Sequence, residues 1–186
     1  IARWQALQAV ATWSPGSPKR QSCEAGYYSN QIGIGIGIER RPAIVNKKKQ
    51  FGDWEADTVL GKNGTGAIVS LVERKSKLYL IRKVPAKTAA DVSRAMVSIL
   101  WRYRSHVRTI TADNGAELAA HELVADKLKT DIYFANPYSS WECGLNENFN
   151  GLLRQYIRNG TDLRTVTDKQ IADVERALNA RPRKCL

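Results

Sequence analysis

A chain of 186 residues has the length of one domain, and 43% hydrophobic residues is enough to bury a core. Its 29 Lys and Arg outweigh 18 Asp and Glu to give a formal net charge of +11, which favours a polyanionic partner, nucleic acid or an anionic membrane surface. No apolar run approaches the roughly 18 residues of a membrane span, the first residues lack a signal-peptide pattern, and three scattered cysteines with two histidines form no local zinc clip, so the expectation is a soluble intracellular protein without a structural zinc.

Residues 1–45 show no sustained period. They include Ser14-Pro15-Gly16-Ser17-Pro18 and a run from Gly33 to Ile38 in which Gly alternates with Ile, so this segment is expected to be a poorly ordered arm and the run a low-complexity linker. Residues 1–50 hold eight Lys or Arg, among them Lys47, Lys48 and Lys49, against Glu24 and Glu39, a net +6. Such an arm reads either as a solvated tail or as a segment that tracks nucleic-acid phosphates.

The regular domain is expected over 46–186. Asp53 to Leu60 predicts a first strand; Ala67 to Val72 and Lys77 to Val84 predict a hairpin around the charged segment Glu73-Arg74-Lys75-Ser76. Thr88, with Asp91 three positions on, resembles a capping box for a helix reaching about Arg104. A strand at Val107 to Thr111, a helix at His121 to Lys129, a strand at Asp131 to Ala135, and helices from about Asn146 to Arg158 and from Asp168 to Ala180 complete the order. Three antiparallel strands followed by helix, strand, helix, strand and helix predict an α/β fold, a mixed five-stranded sheet flanked by helices in the ribonuclease-H-like order.

Three acids occupy favourable places in that order: Asp57 on the first strand, Asp113 just past the fourth, and Glu147 at a helix start. In the proposed fold the first and fourth strands are central neighbours. At 100° per residue from Leu145, an apolar band takes in Phe149, Leu152, Leu153, Tyr156 and Ile157, whereas Glu147, Arg154 and Arg158 fall at about 200°, 180° and 220° on the opposite side. Each acid also has a plainer reading. Glu147 suits a helix N-terminus electrostatically, Asp113 suits a turn ahead of Asn114-Gly115, and Asp53 and Glu55, which share a strand face with Asp57, suit a wet strand end.

The words around these acids are more specific. Gly52-Asp53-Trp54-Glu55-Ala56-Asp57-Thr58-Val59, Thr111-Ala112-Asp113-Asn114-Gly115-Ala116-Glu117 and Asn146-Glu147-Asn148-Phe149-Asn150-Gly151-Leu152-Leu153-Arg154-Gln155-Tyr156 resemble the DDE transposases of the insertion-sequence 30 family, in the retroviral-integrase superfamily. The 33 residues between Asp113 and Glu147 fit that family's spacing, and the resemblance runs from about Glu39 to Leu186.

The resemblance implies an integrase-type catalytic core that cleaves insertion-sequence ends and transfers the strand to a target. It implies that Asp57, Asp113 and Glu147 are the catalytic triad and the ligands of two divalent ions, Mg2+ with Mn2+ able to substitute. Clustered carboxylates suit such hard cations, which activate the attacking oxygen and stabilise the leaving one. Arg154 matches the family's basic residue beside the DNA end, and Trp141 and Asn146 match positions around the loop before the catalytic helix. Arg158 and Lys47, Lys48 and Lys49 are further expected DNA contacts.

The implied partners are transposon inverted-repeat ends, target DNA and further copies of the chain assembled on DNA, with no membrane; the implied location is the bacterial cytoplasm, at the nucleoid when DNA-bound. His121 also matches a family position, although a histidine on a helix surface is the plainer expectation. Cys143 stands where a basic residue is expected, residues 1 to about 38 do not resemble the family's helix-turn-helix region, and the core is expected to be truncated at its C-terminus. The alternatives are a catalytically inactive DNA-binding remnant and a ribonuclease-H-type nuclease.

Overall fold

The computed structural model describes residues 27–30, 33–137 and 139–182, and the expectations for residues 1–26 lie outside them. A meander of β3 (Asp53–Leu60), β4 (Ala67–Glu73) and β5 (Tyr79–Val84) pairs antiparallel, as the alternation and the charged turn predict. Then β6 (Thr109–Ala112) and β7 (Asp131–Phe134) add in parallel on the other side of β3. Parallel pairing needs crossovers, which α2 (Ala89–Leu100) and α3 (His121–Leu128) provide. The expected cap is present, since the Thr88 hydroxyl accepts the Asp91 N–H at 3.2 Å.

The sheet has seven strands in the described residues, ordered β1-β2-β7-β6-β3-β4-β5, two more than the five expected. The extra pair is β1 (Tyr27–Asn30) and β2 (Gly33–Gly37), an antiparallel hairpin whose second strand runs parallel to β7. The Gly–Ile run is therefore a strand and not a linker. The glycine has a packing reason: a Cβ on Gly35 would lie 2.5 Å from the Phe134 ring. A short helix α1 (Ala43–Asn46) follows, with Val45 buried.

Burial on both faces of β4 marks it as internal. On one face Trp54, Val69, Leu71 and Ile110 pack with Val92, Met96 and Leu100 of α2 and Val124 and Leu128 of α3. On the other, Val59, Ile68, Val72 and Tyr79 pack with Phe149 and Leu153 of α4 (Gly144–Leu153) and Ile171 and Leu178 of α5 (Asp168–Asn179). Helix α5 begins in a capping box between Thr167 and Gln170 and lies against the edge strand β5, where Asn179 and Glu175 satisfy the backbone of Tyr79 and Ile81. Helix α4 stops at Leu153, earlier than its periodicity predicts. The following turns leave Ile157 buried but turn Tyr156 out to 47% exposure, removing it from the apolar band.

Candidate active site

Side chains alternate along β3, so Asp53, Glu55, Asp57 and Val59 share the face that α4 covers. The start of the strand requires glycine: Gly52 has φ of +109°, and a Cβ there would lie 1.8 Å from the His106 carbonyl oxygen. Strand β6 pairs parallel with β3 in a register that sets Ala56 opposite Ala112, which brings the next residues, Asp57 and Asp113, side by side. Asp57 Oδ2 accepts a hydrogen bond from Asn150 Nδ2 of α4 at 2.7 Å, and Oδ1 accepts the Thr58 N–H at 2.7 Å. Asn150 is steadied in turn by the Tyr79 hydroxyl at 3.1 Å.

The electrostatics of the pair are unfavourable to full ionisation. Burial, with a further push from the charge of Asp113, raises the Asp57 carboxyl from 3.8 to about 6. Asp113 is raised as well, by partial desolvation at the rim and by Glu117, although the Gly115 N–H and Lys87 oppose this. Glu117 escapes the same fate. Burial pushes it up, but the Lys87 ammonium at 2.6 Å and the Thr58 hydroxyl at 2.7 Å outweigh that and hold it low. Two adjacent carboxylates that lack sufficient positive charge, with the nearby lysine already engaged, suit a hard divalent cation.

Glu147 lies in the first turn of α4 with its side chain exposed. Its helix reaches Asp57 through Asn150, one turn on, but the Glu147 carboxylate is not gathered in. Among the described residues no group of three or more His, Cys, Asp or Glu is placed to hold a metal ion. The structure thus brings Asp57 and Asp113 together and leaves Glu147 on the helix that touches Asp57.

The two other acids of β3 are not at a wet strand end. Asp53 and Glu55 are buried at 0% and 1% exposure. Asp53 accepts from the Thr109 hydroxyl at 2.8 Å and from Gln50 Nε2 at 2.9 Å. Glu55 pairs with Arg74 at 2.6 Å and accepts the N–H groups of Leu145 and Asn146 at 3.0 and 3.1 Å. Their partners come from Gln50, Thr109, a β-turn and a helix far along the chain, so strand alternation alone could not reveal them.

His121 is also buried, not on a helix surface. Its Nδ1 lies 3.1 Å from the Leu118 carbonyl, and its ring meets Phe134 edge-on at 4.9 Å. Cys143 faces the acids: burial, then Glu55, Asp113 and Asp57, push its thiol up to about 12, so it is neutral where a cation was expected.

Of the expected DNA contacts, Lys47, Lys48, Lys49 and Arg158 are exposed and Arg154 is half-buried, its guanidinium near the Leu60 carbonyl at 3.5 Å. Asn146 is 1% exposed with both polar atoms of its carboxamide unpartnered, so it is not presented at the surface as expected. Trp141 falls in the short turn Ser140–Cys143, and its side chain lies outside the described residues.

In fold this is a ribonuclease-H-like core of the retroviral-integrase type. It resembles the catalytic core domain of BIV integrase, with a TM-score of 0.53 at 21% identity, covering 72% of this chain and 84% of that one. A chain of a simian T-cell lymphotropic virus intasome gives a TM-score of 0.56 at 17% identity, covering 73% and 56%.

In sequence the chain is a homologue of insertion-sequence transposases, IS30 among them. It is 49% identical over 151 residues to the transposase of IS4351 from Bacteroides fragilis, covering 81% of this chain and 46% of that protein. It is 40% identical over 153 residues to the probable transposase of IS1161 from Streptococcus salivarius, covering 81% and 43%, and 35% identical over 153 residues to transposase InsI of IS30C from Escherichia coli K12, covering 82% and 40%. The chain therefore spans less than half the length of these relatives. No protein-family model matches it. No helix in the described residues is long and apolar enough to cross a membrane.

Proposed function

We propose that this chain is the catalytic core of an insertion-sequence transposase that cleaves DNA at the element's ends and joins them to a target. The observation that carries the reading is the placement of Asp57 on β3 beside Asp113, just past the adjacent parallel strand β6, with Asp57 held by Asn150 of the helix that bears Glu147, in a homologue of IS30-type transposases. Asp57, Asp113 and Glu147 are the metal ligands in this reading. When bound among them, two divalent ions, Mg2+ or Mn2+, would activate the attacking oxygen and stabilise the leaving one. Asn150 orients Asp57 through Oδ2, and Glu147, one turn before Asn150 on the same helix, would supply the third carboxylate.

Arg154, Arg158 and Lys47 to Lys49 present exposed or half-exposed cations to the phosphates of the element's inverted-repeat ends and of the target. Further copies of the chain assemble on that DNA, and the protein works at the bacterial nucleoid.

The test is a branched duplex in which one arm is already joined to a target strand, so that reversal of joining needs no knowledge of the terminal repeat. Mg2+- or Mn2+-dependent release of the arm, lost in Asp57→Asn, supports the reading. Cleavage of RNA in an RNA–DNA hybrid but not of the branched duplex would replace it with a nuclease. Duplex binding with neither activity would mark a non-catalytic remnant.

A further inference from the structure

We propose that Glu55 is a positioning residue that fixes the helix bearing Glu147 against the strand bearing Asp57. The inference rests on the reading of Asp57, Asp113 and Glu147 as ligands, and it begins from an unmet need at the start of α4. The first N–H groups of a helix have no partner inside it. Helix α4 begins after Cys143 without a side-chain cap from its own N-cap residue. Its early N–H groups, those of Leu145 and Asn146, instead donate to Glu55 Oε2 at 3.0 and 3.1 Å, a residue about ninety positions earlier in the chain.

Glu55 is 1% exposed, and its other oxygen is engaged by Arg74 at 2.6 Å, so the carboxylate is charge-matched and its geometry determined on both sides. The position matters for chemistry. Glu55 is two residues before Asp57 on the same strand face, and the groups it holds immediately precede Glu147. A second, half-buried cation extends the tie: Arg41, within electrostatic reach of Arg74 and Glu55, donates from Nη1 to the Thr111 hydroxyl at 2.8 Å, two residues before Asp113. One ionic cluster, buried at Glu55 and Arg74 and half-buried at Arg41, therefore touches β3, β6 and α4 within two residues of each of the three acids. A carboxylate whose task was fold stability alone would need no such placement, and truncating a group that orients metal ligands typically lowers metal affinity or activity about 10- to 100-fold.

The experiment compares the parent with Glu55→Gln and with Glu55→Gln combined with Arg74→Gln, which leaves no unpaired buried ion if the single change does not fold. Amide hydrogen exchange, strand-joining kinetics and the Mn2+ concentration for half-maximal joining are measured on each. The expected result is faster exchange confined to the first turn of α4, parental protection in α2 and β4, and kcat lower by about 10- to 100-fold with KM for DNA unchanged and more Mn2+ required. Parental exchange at Leu145 and Asn146 with parental kcat would overturn the proposal, as would an equal loss of protection across α2, β4 and α4, which marks a general structural role. A parental chain that joins no DNA would refute the transposase reading, while the exchange measurement would still decide whether Glu55 anchors α4.

Discussion

Glu55 and Asp57 lie two residues apart on one face of one strand, yet their surroundings are opposite. Glu55 is enclosed with a guanidinium and two helix N–H groups; Asp57 has one amide, one backbone N–H and another acid beside it. The same contrast separates Glu117, neutralised by Lys87, from Asp113 four residues earlier. An acid that the fold has satisfied serves as structure, whereas an acid left short of positive charge keeps its capacity for an outside cation. Of the carboxylates that carry the proposed chemistry, Asp57 and Asp113 are left by the protein short of compensating charge.

The contrast can be broken from its structural side, where the effect should be largest. Arg74→Met strands Glu55 as an unpaired buried anion and is expected to lower unfolding free energy by about 3 to 5 kcal/mol, measured by denaturant titration. A loss below about 1 kcal/mol would show that the pair is solvated and that Glu55 and Asp57 do not differ as argued. On the chemical side, Glu147→Gln should leave stability within roughly 1 kcal/mol, since the parent side chain is exposed at a helix start. Cleavage and joining should fall together by more than about 100-fold, beyond the loss typical of residues that merely orient ligands. A folded variant that joins at the parental rate would return Glu147 to a helix-dipole role.

Asp57 sharpens the comparison through pH. Its folded pKa, about 6, lies above the ordinary 3.8, so the folded chain retains a proton that the unfolded chain releases. Stability from this group is therefore greatest at low pH and is lost as pH rises from about 4 through 6, by at most roughly 2 to 3 kcal/mol because the site is partly exposed. Asp57→Asn should stabilise the chain at pH 7 relative to the parent, with no difference near pH 4. Divalent-ion binding at pH 6 should release protons in the parent and fewer in the variant, as read by calorimetry in buffers of different ionisation enthalpy.

What the sequence made legible follows from how local each signal is. The meander, the Thr88 cap and the parallel pairing of β3 with β6 rest on alternation, a four-residue motif and the order of elements, and all appear. That pairing sufficed to place Asp57 beside Asp113. The satisfaction of Asp53 and Glu55 was hidden because their partners are set only by the folded chain. The β1–β2 hairpin was hidden because alternating glycine suggests low complexity until Phe134 is seen above Gly35. Tyr156 is misplaced by a helical period carried past Leu153, and the burial of Asn146, expected as a DNA contact from its family position before the catalytic helix, depends on packing that a matched position does not reveal.

The smallest expected effect concerns the lysines at the other extreme of exposure. Lys47, Lys48 and Lys49 follow α1 on the surface, where an unbound cation is fully hydrated and adds almost nothing to stability. If they are only a solvated turn, replacing all three with Ala leaves DNA binding unchanged. If they follow phosphates, each contact releases counterions, and the slope of log affinity against log salt falls by roughly 0.9 for each lysine removed. Measured by fluorescence anisotropy between about 50 and 200 mM salt in an Asp57→Asn background, which prevents cleavage from obscuring binding, the triple variant should show a slope shallower by about 2 to 3. Its melting temperature should match the parent, because no described hydrogen bond or ion pair depends on these side chains. An unchanged slope would assign the phosphate contacts to Arg154 and Arg158, next to the helix that bears Glu147.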